Sequence, residues 1–329
     1  MTLTTLFAVL LGLGFGARAQ DAPAEAPRVL ETVVVSGVQP GPGLWKVSKG
    51  DNTMWILGTL QPLPKRMTWE AREAEARIAQ AQEVLLPPAA QISIEGGALR
   101  GLLLLPSLLG ARNNPGKQQL ADVVPEDLYR RWVALKQRYL GRDRSVEKRR
   151  PIIAAWQLYE KAITRSGMSF EDVVTKVVEK AARRHDVPVR RPSIDLTIAE
   201  PKQAVKDLAR TRLDDVECFR RTLTRLESDV ETMKLRGNAW ATGDVIALRE
   251  LPYTDQNRAC LDAVLQSTVT AEHGLDVLER RVDAAWLAAA EAALANNRVT
   301  FATLPVGEIL DPKGYVETLR ARGYEIEAP

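Results

Sequence analysis

The sequence predicts an α/β fold: a central mixed sheet built from the N- and C-terminal segments, flanked by helices, with a long helical middle section. Three observations predict it. Two β-prone runs near the start, "LWKVS" and "TMWILGT", are joined by the turn-forming "KGDN", which is the pattern of a hairpin. The end of the chain, "RVTFATL" followed by "DPKGYVETLRARGYEIEAP", reads strand, helix, strand. Most of the chain between, from 95 to 185 and from 199 to 297, has helical character.

Taken in order, residues 1–19, "MTLTTLFAVLLGLGFGARA", predict a signal peptide. The apolar run ends in Ala17-Arg18-Ala19, a small-x-small cleavage pattern, although no Lys or Arg precedes it. The run is too short to be a stable membrane span, so the mature chain is expected to carry none. Export to the periplasm or the medium follows, and no Cys stands after the cleavage point to take a lipid. Residues 20–43, with prolines at 23, 27, 40 and 42, predict a flexible arm before a single domain over 44–329. Within the arm, "LETVVVSG" (30–37) resembles a TonB box, a segment used for strand addition to another protein. Its other reading is an edge strand of this fold.

Beyond the hairpin, "WEAREAEARIAQAQ" (69–82) predicts a helix, "EVLLPP" a short strand stopped by Pro87 and Pro88, and "DVPVRRPSID" (186–195) another strand. Breaks at "NNPGK", "GRDR" and Pro151 divide the helical middle. One later helix shows a face of Leu275, Leu278, Val282, Ala285, Trp286 and Ala289.

A net charge of +3, from 45 basic and 42 acidic residues closely interspersed, describes a solvated surface and argues against nucleic-acid binding. Two cysteines, Cys218 and Cys260, sit in helix-like stretches. An even pair in an exported chain predicts a disulfide; the alternative is two buried thiols acting as small hydrophobes. Cys218 lies off the apolar stripe formed by Leu213, Val216, Phe219, Leu223, Leu226 and Val230.

"GLWKVSKGDNTMWILGTLQPLP", the stretch "AWATGD" (239–244) and the C-terminal "GYEIEAP" resemble the TraB/GumN family over residues 43–329. That family is similar to Tiki-type metal-dependent proteases and, more distantly, to erythromycin-esterase and haem-binding ChaN-like proteins. The resemblance implies two G-x-x-H motifs at strand ends and a glutamate after the first helix, together forming a metal or general-base site. Here the first motif falls on Gly58-Thr59-Leu60-Gln61, the glutamate position on Pro87, and the second motif on Pro305-Val306-Gly307-Glu308. Both histidines and the glutamate are replaced.

The two histidines of the chain, His185 and His273, have no second ligand at metal-binding spacing, and no nucleophile turn, phosphate loop or dinucleotide fingerprint is present. Glu83 and Asp311 are near in sequence to the substituted positions and are the remaining candidates for a hard-cation site with Gln61 and Glu308. The expectation is therefore a non-catalytic cleft without metal or cofactor. Gly58, Thr59, Gln61 and Glu308 would offer polar contacts beside Leu60, Leu63 and Leu304, for a peptide, an envelope ligand or an envelope protein. The alternative is a metal-dependent peptidase or hydrolase with relocated ligands.

Overall fold

The computed structural model describes residues 34, 35, 37–95, 97–198, 200–211, 213–251, 260 and 277–329. The first half comprises β1 (Gly37–Gln39), β2 (Leu44–Lys49), β3 (Asn52–Thr59), β4 (Leu63–Pro64), β5 (Met67–Trp69), α1 (Arg72–Ile78), β6 (Glu83–Leu85), β7 (Ala89–Ile94) and α2 (Gly97–Ala111). Then come α3 (Leu120–Val123), α4 (Glu126–Tyr139), α5 (Pro151–Arg165), β8 (Met168–Ser169), α6 (Val173–Arg184), β9 (Val189–Arg190) and β10 (Ser193–Ile198). The rest is α7 (Pro201–Arg210), α8 (Val216–Ser228), α9 (Val230–Thr242), α10 (Val245–Glu250), α11 (Leu278–Asn296), β11 (Val299–Pro305), α12 (Val306–Leu310), α13 (Tyr315–Ala321) and β12 (Glu325–Glu327).

Chain ends and hairpin assemble one six-stranded mixed sheet in the order β12-β2-β3-β11-β6-β9. β2 and β3 pair antiparallel through the predicted turn, where Gly50 takes a positive φ. β11 lies parallel between β3 and β6, and β9 runs parallel to β6 at the far edge. Side chains alternate across the strands, so each face has its own core. Leu57, Val84 and Phe301 pack with α1, α6 and Trp240 of α9 on one face. Met54, Ile56, Leu85, Ala302 and Leu304 pack with Trp286, Ala290 and Leu294 of α11 and with α13 on the other. A third core, around Trp132, Leu158, Phe219 and Leu223, joins α4, α5 and α8 into a separate helical layer.

Local competition accounts for the departures from the expected elements. The helix expected over 69–82 is shortened to Arg72–Ile78, because Met67–Trp69 is taken up by β5, which pairs in parallel with β1. The arm expected over 20–43 thus meets a strand at Gly37, and Gly41 N–H donates to the Ala241 carbonyl at 2.8 Å. Most of the TonB-box-like run lies outside the described residues. The strand expected over 186–195 divides at Pro192 into β9 and β10, and the one ending at Pro87-Pro88 resumes as β7.

Cys218 of α8 is fully buried and bonded to Cys260, with Cα atoms 4.6 Å apart. The predicted disulfide is present. Leu275 of the expected late-helix face lies outside the described residues, while Trp286 and Ala289 are buried. Among the described residues no helix is long and apolar enough to cross a membrane.

Candidate functional site

Three parallel strands define the edge where the substituted motif positions fall. The register pairs Thr59 with Pro305 and Ala302 with Leu85, so β3, β11 and β6 end on the same side of the sheet. Gln61, Glu308 and Pro87 each follow one of those ends within two or three residues. Carboxyl ends of parallel strands are where α/β folds place their sites. The topology brings to one edge the three positions onto which the resemblance places its ligands.

Gly58 is required here by packing. A Cβ on it would stand 2.6 Å from Val306 Cγ2, closer than real Cβ contacts come, and a tight 3.3 Å from Trp45 Cζ3. Its carbonyl accepts a buried hydrogen bond from Trp240 Nε1 at 2.8 Å. Trp240 belongs to the "AWATGD" stretch, so this segment of α9 locks the end of β3 from the other side.

The polar candidates are arranged differently from the leucines expected beside them. Gln61 and Glu308 are exposed and Thr59 is half-buried. Leu60 and Leu63 are buried in the core on one face of the sheet, and Leu304 in the core on the opposite face. The apolar lining expected from these three residues is therefore spent on holding the sheet, and they do not line one pocket together.

Glu308 stands on α12, which starts directly at the end of β11. The chain then returns over its carbonyl at Gly314, where a Cβ would meet Glu308 O at 2.1 Å, and this close approach delivers Tyr315. The Tyr315 hydroxyl donates to Asp283 Oδ1 of α11 at 2.6 Å, and its ring packs on Trp286 with centroids 4.8 Å apart. Burial pushes the Tyr315 hydroxyl well above its ordinary value; the bond to Asp283 and the charges of Asp283, Glu308 and Glu279 add to the effect. It is thereby held as a protonated donor. Sequence reasoning missed this Tyr–Asp pair, whose partners are far apart in the chain. The available signal was the Gly-Tyr step inside "DPKGYVETL".

The other candidates go elsewhere. Glu83 opens β6 at the opposite end of the sheet, where it meets Arg190 at 3.0 Å and Asn297 Nδ2 at 2.8 Å. Asp311 caps its own turn by accepting from Lys313 N–H at 2.8 Å. His185 terminates α6, exposed, ahead of β9 and so at the amino edge of the parallel strands. His273 lies outside the described residues. Among the described residues no three His, Cys, Asp or Glu side chains are grouped to hold a metal. An exposed amide, a proline and one carboxylate at positions 61, 87 and 308 do not fit the two-imidazole, one-carboxylate site that the resemblance implies.

Residues 43–328 match the TraB/PrgY/gumN family. The chain belongs to the TraB/PrgY/gumN family. No curated protein and no solved structure matches the sequence. In this TraB/PrgY/gumN protein the match takes in the hairpin, the helical layer and the final β-strand. Gly58, Trp240, the parallel β3–β11 pair and positions 61, 87 and 308 all lie within the matched residues.

Proposed function

We propose that this TraB/PrgY/gumN protein is exported to the periplasm or the medium and uses its sheet edge to bind a peptide or another envelope ligand, without hydrolysing it. One observation carries the reading: the edge that would hold two imidazoles and a carboxylate presents Gln61, Pro87 and Glu308 on three strand ends in register. An amide and a carboxylate are hydrogen-bonding groups, suited to orienting a polar backbone rather than to activating water. The Cys218–Cys260 bond supports export, since such bonds persist in oxidising compartments. The apolar run before Gln20 supports it from the sequence side.

The test restores the missing chemistry. Gln61→His, Pro87→Glu and Glu308→His, made together with Pro305→Gly, should create stoichiometric Zn²⁺ binding that the wild-type protein lacks, because three good ligands replace one. Metal content after dialysis and peptide hydrolysis are measured on both proteins. Wild-type protein that retains Zn²⁺ or Mn²⁺ and loses a peptidase activity to chelator would overturn the non-catalytic reading.

A further inference from the structure

Past Pro88 and Pro192, the strands of the far sheet edge continue as a separate two-stranded parallel ribbon, β7 with β10. Each leads into a helix, and α2 packs on α7. The α2 sequence is "GALRGLLLLPSLLGA". Leu104 and Ala111 are buried, whereas Leu102, Leu103, Leu105, Leu108 and Leu109 are 61%, 76%, 46%, 40% and 56% exposed. These five leucines are the one dense group among the large exposed hydrophobics of the described residues.

The breadth of this surface decides what covers it. At about 100° per residue, positions 102, 103, 105, 106, 108 and 109 sweep roughly 220° of the helix circumference. Between Gly101 and Gly110 the only polar residue is Ser107. A seam for a second helix uses a narrow stripe of about two positions in seven. An arc of more than half the circumference is that of a helix lying in hydrocarbon.

Charge supplies the second observation. α2 carries no acidic residue, and α7 presents Lys202, Lys206 and Arg210 at four-residue spacing, all exposed. The one acid of α7, Asp207, accepts from Gln203 Nε2 at 2.7 Å. None of the three cations has an ion-pair partner among the described residues. The lobe is also fixed in place. Arg150, buried at the start of α5, donates to the Ala111 carbonyl at 2.7 Å, to the Thr211 carbonyl at 2.8 Å and to the Leu208 carbonyl, tying together the C-terminal ends of α2 and α7.

We propose that this lobe is an interfacial anchor: the leucine face of α2 enters the surface of an anionic bilayer, and the Lys202–Lys206–Arg210 ladder meets its phosphates. At 15 residues α2 spans about 22 Å, short of the ~30 Å hydrocarbon core, so it lies in the interface and does not cross. The inference is independent of what the sheet edge binds.

The test uses residues 32–329, because Thr32–Pro329 forms a compact unit of its own and this removes the apolar leader as a source of lipid affinity. Flotation with phosphatidylglycerol-containing vesicles should recover the protein, and phosphatidylcholine vesicles should recover much less. Leu102→Ser, Leu103→Ser and Leu109→Ser together should weaken partition by at least about tenfold. Lys202→Glu, Lys206→Glu and Arg210→Glu together should abolish the preference for the anionic vesicles. All positions are exposed, and unchanged melting temperatures confirm that the variants fold. Absent flotation of the wild type, or undiminished flotation of the leucine variant, overturns the proposal. So does a dimer in sedimentation that the leucine variant dissociates while vesicle binding is absent; a second copy would then cover the face.

Discussion

The helical layer and the sheet edge handle polar side chains in opposite ways. In the helical layer several charged side chains are buried and engaged in structure. Arg150 ties the ends of two helices, Asp215 accepts from the Ile152 N–H of α5 at 2.9 Å, and Asp229 meets both Arg236 at 2.9 Å and Arg225 at 3.3 Å. At the sheet edge Gln61 and Glu308 are exposed, beside buried apolar residues such as Leu60, Val306 and Ile309. Perturbed, desolvated titratable groups are commonly read as markers of active sites. Here one of the clearest, Asp215, is part of a helix junction. The contrast teaches that burial of charge in this fold marks where helices are joined.

The largest expected effect tests that junction. Arg150→Ala removes donors from three carbonyls at the ends of α2 and α7 and strips the countercharge from the buried Asp215. The loss should be about 3–5 kcal/mol, as for breaking a buried ionic group from one side. Urea unfolding monitored by tryptophan fluorescence measures it. A loss below about 1 kcal/mol would mean that water replaces the guanidinium, and the junction would then resemble the solvated edge.

The layout of the fold was legible because local and global signals agree along it. The hairpin, β11 and the final helix–strand pair each have the right apolar period and the right breakers, and the sheet takes up all of them. The parallel register of β3 with β11 fixes the common edge. The β1–β5 pair and the β7–β10 ribbon were not legible. Three-residue strands have no period to read, and the ribbon depends on pairing two proline-interrupted segments about a hundred residues apart. At the site, Gln61 and Glu308, the positions onto which the resemblance places its histidines, follow parallel strands that end on one side of the sheet. The assignment of Leu60, Leu63 and Leu304 to one lining failed because sequence does not say which face of a sheet a leucine takes once the chain leaves the strand. Tyr315 and Asp283 meet only through tertiary packing, 32 residues apart.

A medium-sized effect sharpens the reading of the edge itself. If Gly58 is there for packing, Gly58→Ala should cost about 1–3 kcal/mol, the usual range for forcing a methyl into a filled core. Its Cβ would press on Val306 Cγ2 at 2.6 Å, so adding Val306→Ala should return a good part of that loss. Thermal or urea unfolding of the two singles and the double closes the cycle. Strict additivity would remove the packing explanation and leave close approach of a ligand as the reason for glycine.

The smallest effect concerns pH. Burial raises the Asp215 carboxyl above its ordinary value; its accepted N–H bonds and the charge of Arg150 pull the other way, and Asp214 adds to the rise. A carboxyl raised in the folded state binds more protons folded than unfolded between the two values, so stability falls as pH rises through that window. Below the ordinary carboxylate value the group is protonated in both states and costs nothing. Above the folded value its cost is complete and constant. Asp215→Asn keeps an oxygen to accept from Ile152 N–H and removes the titration. Relative to wild type, the variant should therefore gain stability progressively as pH is raised from acid towards neutral, and then hold level. Glu308→Gln at the exposed edge should leave the wild-type slope over the same range in place. Urea unfolding of the three proteins across that range decides it: a difference between wild type and Asp215→Asn that is flat with pH, or one that grows toward acid, would place the titrating carboxyl outside the helix junction and erase the contrast between the two regions.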